Sequence, residues 1–153
     1  MRVSDWMTKD VKAVRETESL QDAAMSMWSN DLGTLPVLAE DGRVLGMITD
    51  RDIAMAAALR RRPLDVVDVR ATMSKQLWTC GPDDTLAEAE AAMREHQVRR
   101  LPVVDAAGHL VGMLSLNDIA HAALTGPKKI LASNIARTLD AISTPRPGLV
   151  SMV

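Results

Sequence analysis

The chain has 153 residues, 47% hydrophobic and 25% charged, with a formal net charge of −2. That balance suits one compact domain, or two small ones sharing a core. It excludes a large multidomain enzyme and a disordered chain, and it supplies no field to draw nucleic acid or an anionic membrane.

Three Trp with no Phe and no Tyr leave the interior to aliphatic side chains and ten Met, and leave few platforms for stacking unpaired bases. Cys80 is the sole cysteine, so an intrachain disulfide is impossible. The opening residues lack the apolar stretch of a secretion signal, and no window approaches the length of a membrane span. The expected location is cytoplasmic, with neither DNA or RNA nor a membrane as partner.

Residues 11–15 read as a short extended run. Ser19 then caps a helix that Asp22 answers from the third position, with Leu20, Ala23, Ala24 and Met27 at helical spacing on the buried face. Residues 35–39 and 43–49 flank Glu40, Asp41 and Gly42, an Asp-Gly turn signal, and so predict a hairpin. Pro36 lacks an amide donor and is expected at an edge or at a first strand position. A second, Ala-rich helix starts after Thr49 and runs to Arg60, Arg61 and Arg62, read as cations at the negative end of its dipole.

All of this is then written again. A constant offset of 66 carries Met7 to Met73, Leu20 to Leu86, Met27 to Met93, Pro36 to Pro102, Gly46 to Gly112 and Asp52 to Asp118 without a gap. Thr85 and Glu88 form a full capping box where Ser19 and Asp22 stand, and Leu86, Ala89 and Met93 repeat the buried face. Each copy therefore predicts strand, helix, strand, strand, helix: an α/β (α+β) chain of two β-α-β-β-α units with pseudo-two-fold symmetry. The expected divisions are residues 1–66, 67–126 and 127–153. The last of these holds a further helix over 128–142, with Ile130, Leu131, Ile135, Leu139 and Ile142 on one face, and then a loose tail from Pro145, Arg146, Pro147 and Gly148 onward.

The duplicated unit, with the stretch from Val98 to Asp105 before one hairpin and that from Gly46 to Ile53 after the other, resembles the CBS domain family over residues 3 to about 126. The resemblance implies paired units without an attached effector domain, binding an adenosyl ligand (AMP, ADP, ATP or S-adenosylmethionine) in clefts between the pair. It also implies a homodimer stacked as a disc of four units. The family pattern of glycine, two apolar residues, Thr or Ser, two residues and Asp falls on Gly46, Thr49 and Asp52, and on Gly112, Ser115 and Asp118. In such proteins the Asp holds the ribose hydroxyls, and the Thr or Ser lies near ribose and phosphate. Arg99 and Arg100, just before Leu101 and Pro102, stand where similar proteins place phosphate-binding cations.

The candidate ligand-binding residues are thus Thr49, Asp50, Arg51, Asp52, Arg99, Arg100, Pro102, Ser115 and Asp118. Thr49 with Asp52, and Ser115 with Asp118, equally have the spacing of a capping box, so the motif can exist only to start a helix. Asp50 and Arg51 add polar groups to the first copy beyond what a cap requires, whereas Leu116 and Asn117 add fewer to the second. The first copy has Gly33 and Thr34 in place of Arg99 and Arg100, so at most one good nucleotide site per chain is expected. The two arginines can instead form surface salt bridges.

His96, His109 and His121 share no metal-ligand spacing with one another or with Cys80, and the phosphate loops and nucleophile elbows of enzymes are missing. The expectation is no enzyme, no metal and no catalytic cofactor. Two readings stand: an adenine-nucleotide sensor whose occupancy alters affinity for a protein target, and a ligand-free dimerisation scaffold.

Overall fold

The computed structural model describes residues 1–127 and 132–145. The first copy supplies β1 (Val14–Arg15), α1 (Leu20–Ser29), β2 (Thr34–Leu38), β3 (Val44–Thr49) and α2 (Asp50–Arg60). The second supplies α3 (Leu86–His96), β4 (Arg100–Val104), β5 (Leu110–Ser115) and α4 (Leu116–Thr125), followed by α5 (Ala132–Ser143).

The capping boxes fix where these helices begin. The Asp22 amide donates to Ser19 Oγ at 3.1 Å and the Ser19 amide to Asp22 Oδ2 at 3.0 Å; Thr85 and Glu88 do the same at 3.2 and 2.8 Å. Two first-turn amides are satisfied at each start. Both hairpins turn through a left-handed glycine, Gly42 at φ +87° and Gly108 at φ +86°, with Asp41 or Asp105 accepting from backbone amides of the turn. Such φ values are costly for a residue with a Cβ.

Sheet order in the first copy is β1-β2-β3, with β1 parallel to β2 (Val14 beside Val37) and β3 antiparallel to it (Leu35 beside Ile48). Pro36 is therefore the third residue of a central strand, not an edge or opening residue as expected. It is tolerated because β1 pairs only with Val37 and Leu38, so no ladder bond is asked of the missing amide.

The second copy departs from the predicted order at its start. Instead of a leading strand, Cys80 makes one isolated parallel bridge to Val103, its amide donating to the Pro102 carbonyl at 3.1 Å. In the first copy the Glu16 amide extends the ladder to the Leu38 carbonyl at 3.1 Å. The residue at the corresponding place is Pro82, which has no amide to give.

Contacts gather into two compact units that do not follow the repeat boundary. One contains Asp10–Thr79 with Val104–Val111; the other contains Met1–Lys9, Cys80–Val103 and the described part of Gly112–Val153. The first has a core of Leu20, Met27, Leu35, Val37, Ile48 and Ile53, closed by Val67 and Val69 from the lead-in to the second copy. That lead-in is held by bonds from Val69 N–H to the Glu18 carbonyl (2.8 Å) and from Leu20 N–H to the Val67 carbonyl (2.9 Å), and by a reciprocal pair between Met47 and Ser74. The other unit takes in the chain's opening residues in the same way. Val3 is fully buried, its amide donating to the Asp84 carbonyl at 2.9 Å, and Thr8 and Met113 exchange two backbone bonds of 2.9 Å.

This arrangement accounts for the repeated glycine. A Cβ on Gly46 would collide with the Ser74 carbonyl oxygen, and one on Gly112 with the Met7 thioether, so each strand is bare where a lead-in crosses it. After α2, Arg61 adopts the left-handed conformation at φ +51° and the Arg60 guanidinium donates to the Ala71 carbonyl, the helix terminus read from the triple arginine. Ile135, Leu139 and Ile142 lie on α5 as the spacing predicts; Ile130, Leu131, Arg146, Pro147 and Gly148 lie outside the described residues.

Candidate functional site

Both Thr/Ser-x-x-Asp motifs form reciprocal capping boxes. The Asp52 amide donates to Thr49 Oγ1 at 3.1 Å, and the Thr49 amide to Asp52 Oδ2 at 2.9 Å. The Asp118 amide donates to Ser115 Oγ at 3.2 Å, and Asp118 Oδ2 accepts the Ser115 amide at 2.8 Å and its hydroxyl at 2.7 Å. In each case only Oδ2 is engaged; Oδ1 takes no hydrogen bond from a described residue. A carboxylate has about four acceptor positions, so capping leaves capacity for a diol. Capping and ligand contact are compatible.

A shared backbone device positions the residues facing each motif. A left-handed residue follows each of α1 and α3: Asp31 at φ +52°, one residue beyond the Asn30 cap, and Gln97 at φ +53°, the cap itself. The next amides, of Leu32 and Val98, return to the Met27 and Met93 carbonyls at 2.9 and 3.0 Å. The first amide of the following helix then ties down the residue after that: Asp50 N–H to the Gly33 carbonyl at 3.1 Å, Leu116 N–H to the Arg99 carbonyl at 2.9 Å. In the second copy this lock holds Arg99 beside the start of α4.

The result is a hollow of about 350 Å³ lined by Arg99, Arg100, Ser115, Leu116, Asn117 and Ala120, together with Ile135 and Leu139 of α5. Both arginines are exposed, and neither guanidinium has an ion pair or hydrogen bond with a described residue. The salt-bridge alternative for them is thus not realised among the described residues. Two guanidiniums at the start of a helix make a positive mouth, and no carboxylate among the described residues lines the hollow to offset it.

The matching hollow in the first copy, also about 350 Å³, has the opposite character. Asp31 and Asp50 line it among Ala24, Met27, Trp28 and Ile53, and no cation does. Asp50 Oδ1 accepts the Arg51 amide at 2.7 Å, so a carboxylate already occupies a first-turn donor that an incoming anion would use. Asp52 lines a third hollow, of about 380 Å³, with Arg60 and Thr72, whose buried hydroxyl oxygen has no hydrogen-bond partner.

Of the sequence-predicted site residues, the structure brings together Arg99, Arg100 and Ser115. Asp118 stands behind Ser115 as its capping partner, and Pro102 is buried within β4 and does not line the hollow. Thr49, Asp50, Arg51 and Asp52 sit at the start of α2 in the other compact unit. The contributions of Leu116, Asn117, Ala120, Ile135 and Leu139 were not read from the sequence. The Ile135 and Leu139 spacing marked an apolar helix face but not what it covers.

Cys80 is buried, and that burial, with Asp84 nearby, pushes its thiol up to about 12, which suits an inert interior residue. Among the described residues no group of three or more His, Cys, Asp or Glu is placed to hold a metal, and no helix is long and apolar enough to cross a membrane.

Comparison with known proteins places this geometry. The CBS domain model matches residues 3–59 and 66–125. The CBS domain-containing protein YhcV of Bacillus subtilis is 39% identical over 118 residues, which span 77% of this chain and 82% of that protein. Homoserine O-acetyltransferase of Methanohalophilus mahii is 34% identical over 78% of this chain, but the match spans only 24% of that enzyme.

Among solved structures, Hypoxic Response Protein I, which carries two coordinated zinc ions, superposes with a TM-score of 0.73 at 32% identity, covering 79% of this chain and 98% of its own. CBSX2 in complex with AMP gives 0.71 at 25% identity, covering 83% and 98%. The CBS domain pair of protein MJ0100, bound to 5′-methylthioadenosine and S-adenosylmethionine, gives 0.69 at 25% identity, covering 84% and 98%.

Proposed function

The chain belongs to the CBS domain family as a tandem pair, and from that premise we propose that it is an adenine-nucleotide-sensing regulatory module whose phosphate site is the hollow of the second copy. The observation that carries this reading is the pair of guanidiniums, Arg99 and Arg100, without an ion pair or hydrogen bond among the described residues, lining a hollow that also presents Ser115. Unpaired cations at a helix start match a di-anionic phosphate, and the 350 Å³ behind them falls in the range of small-molecule pockets. The adenosyl ligands of CBSX2 and the MJ0100 pair support the choice of nucleoside. We assign the ribose to Asp118, which does not itself line the hollow but caps α4 beside Ser115, and whose Oδ1 takes no hydrogen bond from a described residue; Asp52 is a second such acceptor in a hollow of its own. The acidic hollow around Asp31 and Asp50 is assigned no phosphate.

Regulation then consists of unequal ligand affinity for two forms of the chain, read out by a protein target; no enzyme chemistry is assigned. A homodimer is part of this proposal. Trp28 is 85% exposed on α1, and Met55 and Leu59 are exposed on α2, apolar side chains that a second copy would cover.

Thermal unfolding with AMP, ADP, ATP and S-adenosylmethionine tests the reading. Ligand at a hundredfold excess over its dissociation constant stabilises by about 2.7 kcal/mol, or roughly 5 to 10 °C for a chain of this size. Replacing Arg99 and Arg100 with Ala should weaken ADP more than adenosine, and equal weakening would remove the phosphate role. One observation favours the scaffold reading: both Asp side chains already serve as helix caps. That reading prevails if no adenosyl ligand raises the melting temperature.

A further inference from the structure

α5 lies beyond the duplicated units, yet it forms a wall of the hollow assigned to the nucleotide. It packs on α3 and α4 and is held by polar contacts along its α3 side. Thr138, fully buried, donates its hydroxyl to Glu90 Oε1 at 3.0 Å, and Glu90 is itself only 4% exposed. Gln97 Nε2 donates to the Ala141 carbonyl at 2.8 Å and to the Thr144 carbonyl at 3.3 Å. The apolar side chains nearest the hollow are poorly covered by comparison. Leu139 is 49% exposed and Ile135 half-buried, and both line the hollow along with Arg99 and Arg100.

The anchors are special to the second copy. The residue that matches Glu90 in the first copy is Ala24, which has no carboxylate for a Thr hydroxyl, and the one that matches Gln97 is Asp31, whose side chain has no amide donor for helix carbonyls. The cations, the apolar Leu116 in place of Asp50 and the fixings of α5 therefore all fall on one copy.

Resting on the nucleotide reading of this hollow, we propose that α5 is its clamp. Ile135 and Leu139 take the apolar face of the bound nucleoside while Arg99 and Arg100 take the phosphate, so occupancy of the hollow and docking of α5 stabilise each other. Linkage makes that coupling reciprocal: whatever loosens α5 weakens the ligand, and the ligand holds α5 down. α5 thereby becomes the element whose state a partner reads.

The test uses the full chain, with ADP and adenosine as probes and calorimetry as the readout, for the parent, Leu139→Ser, Thr138→Val and the Arg99→Ala/Arg100→Ala pair. Tryptic cleavage at Arg137, exposed on α5, is followed in parallel with and without ADP. Leu139→Ser is expected to weaken ADP and adenosine alike by about fivefold, the factor that covering roughly half a leucine is worth. Thr138→Val, which strands the buried Glu90, should weaken both probes and speed cleavage at Arg137, while ADP should slow that cleavage in the parent. If the parent binds ADP in an arginine-dependent way but Leu139→Ser and Thr138→Val bind it within twofold of the parent and ADP leaves cleavage at Arg137 unchanged, the clamp is refuted and the nucleotide reading stands. If the parent binds neither probe, both fall together. Because Leu139 is half-exposed, its variant folds regardless and keeps the outcome decisive.

Discussion

Substituting alanine for Gly46 separates the duplicated sequence from its unequal surroundings. The added Cβ meets the Ser74 carbonyl oxygen, which is backbone and has no rotamer to escape into. Either β3 or the crossing lead-in must move, which disrupts the reciprocal bonds from Ser74 N–H to Met47 (2.8 Å) and from Met47 N–H to Ser74 (3.3 Å). Two such bonds contribute about 0.5 to 1.5 kcal/mol each, and overpacking adds about 1 to 3 kcal/mol. Restricting the unfolded chain by losing glycine returns about 0.4 to 1 kcal/mol. The terms together give a loss of about 1 to 6 kcal/mol, centred on about 3, and the central value corresponds to roughly 6 to 13 °C in melting temperature.

The matching change at Gly112 meets mainly the flexible end of Met7, with the Thr8 carbonyl at 3.1 Å, and should cost only about 1 kcal/mol. Differential scanning calorimetry on the two variants measures the contrast. Equal shifts, or a Gly46→Ala shift below about 2 °C, would show that the lead-in does not cross β3 as described.

Two further outcomes concern titration. Hydrogen bonds from the Thr85 amide, then from its hydroxyl, hold the Glu88 carboxyl below the usual range, so the box's contribution is present above the unfolded pKa and lost as pH falls through the folded one. Glu88→Gln should therefore flatten the acid limb of melting temperature against pH, and an unchanged slope would contradict the assignment. For Cys80 the shift is upward, to about 12, so its contribution is full below the unfolded thiol pKa and lost as pH rises through about 12. At pH 8 a disulfide reagent should label it at least about a hundredfold more slowly in the native chain than in urea; comparable rates would mean that the thiol is not buried.

What was legible in the sequence is what local chemistry decides. All four capping boxes, both left-handed turn glycines and the buried faces at Leu20, Met27, Leu86 and Met93 depend on residues within a turn or two of one another. The missing second leading strand was equally local, since Pro82 stands where Glu16 donates, but the symmetry of the repeat hid it. Placement across the chain was not legible. Glu90 reads as a solvent residue in a helical pattern, and only Thr138, far along the sequence, makes its burial tolerable. Asp50 and Arg51 read as surplus polarity for a ligand, yet the Asp50 carboxylate closes on the neighbouring Arg51 amide. Arg99, Arg100 and Ser115 were marked by motif and do converge, whereas the walls from α4 and α5 depend on packing that no spacing encodes.

The exchanged lead-ins bear on how the chain is made. Thr8 pairs with Met113, and the Val3 amide with the Asp84 carbonyl, so during synthesis these residues wait for roughly a hundred more to be added, about 5 to 20 seconds at ordinary elongation rates. Over that interval Val3 and Met7 lack the second-copy residues that cover them in the folded chain, and a ribosome stalled in the second copy would leave those apolar side chains without them. Cutting the gene between its copies would make that condition permanent for both halves.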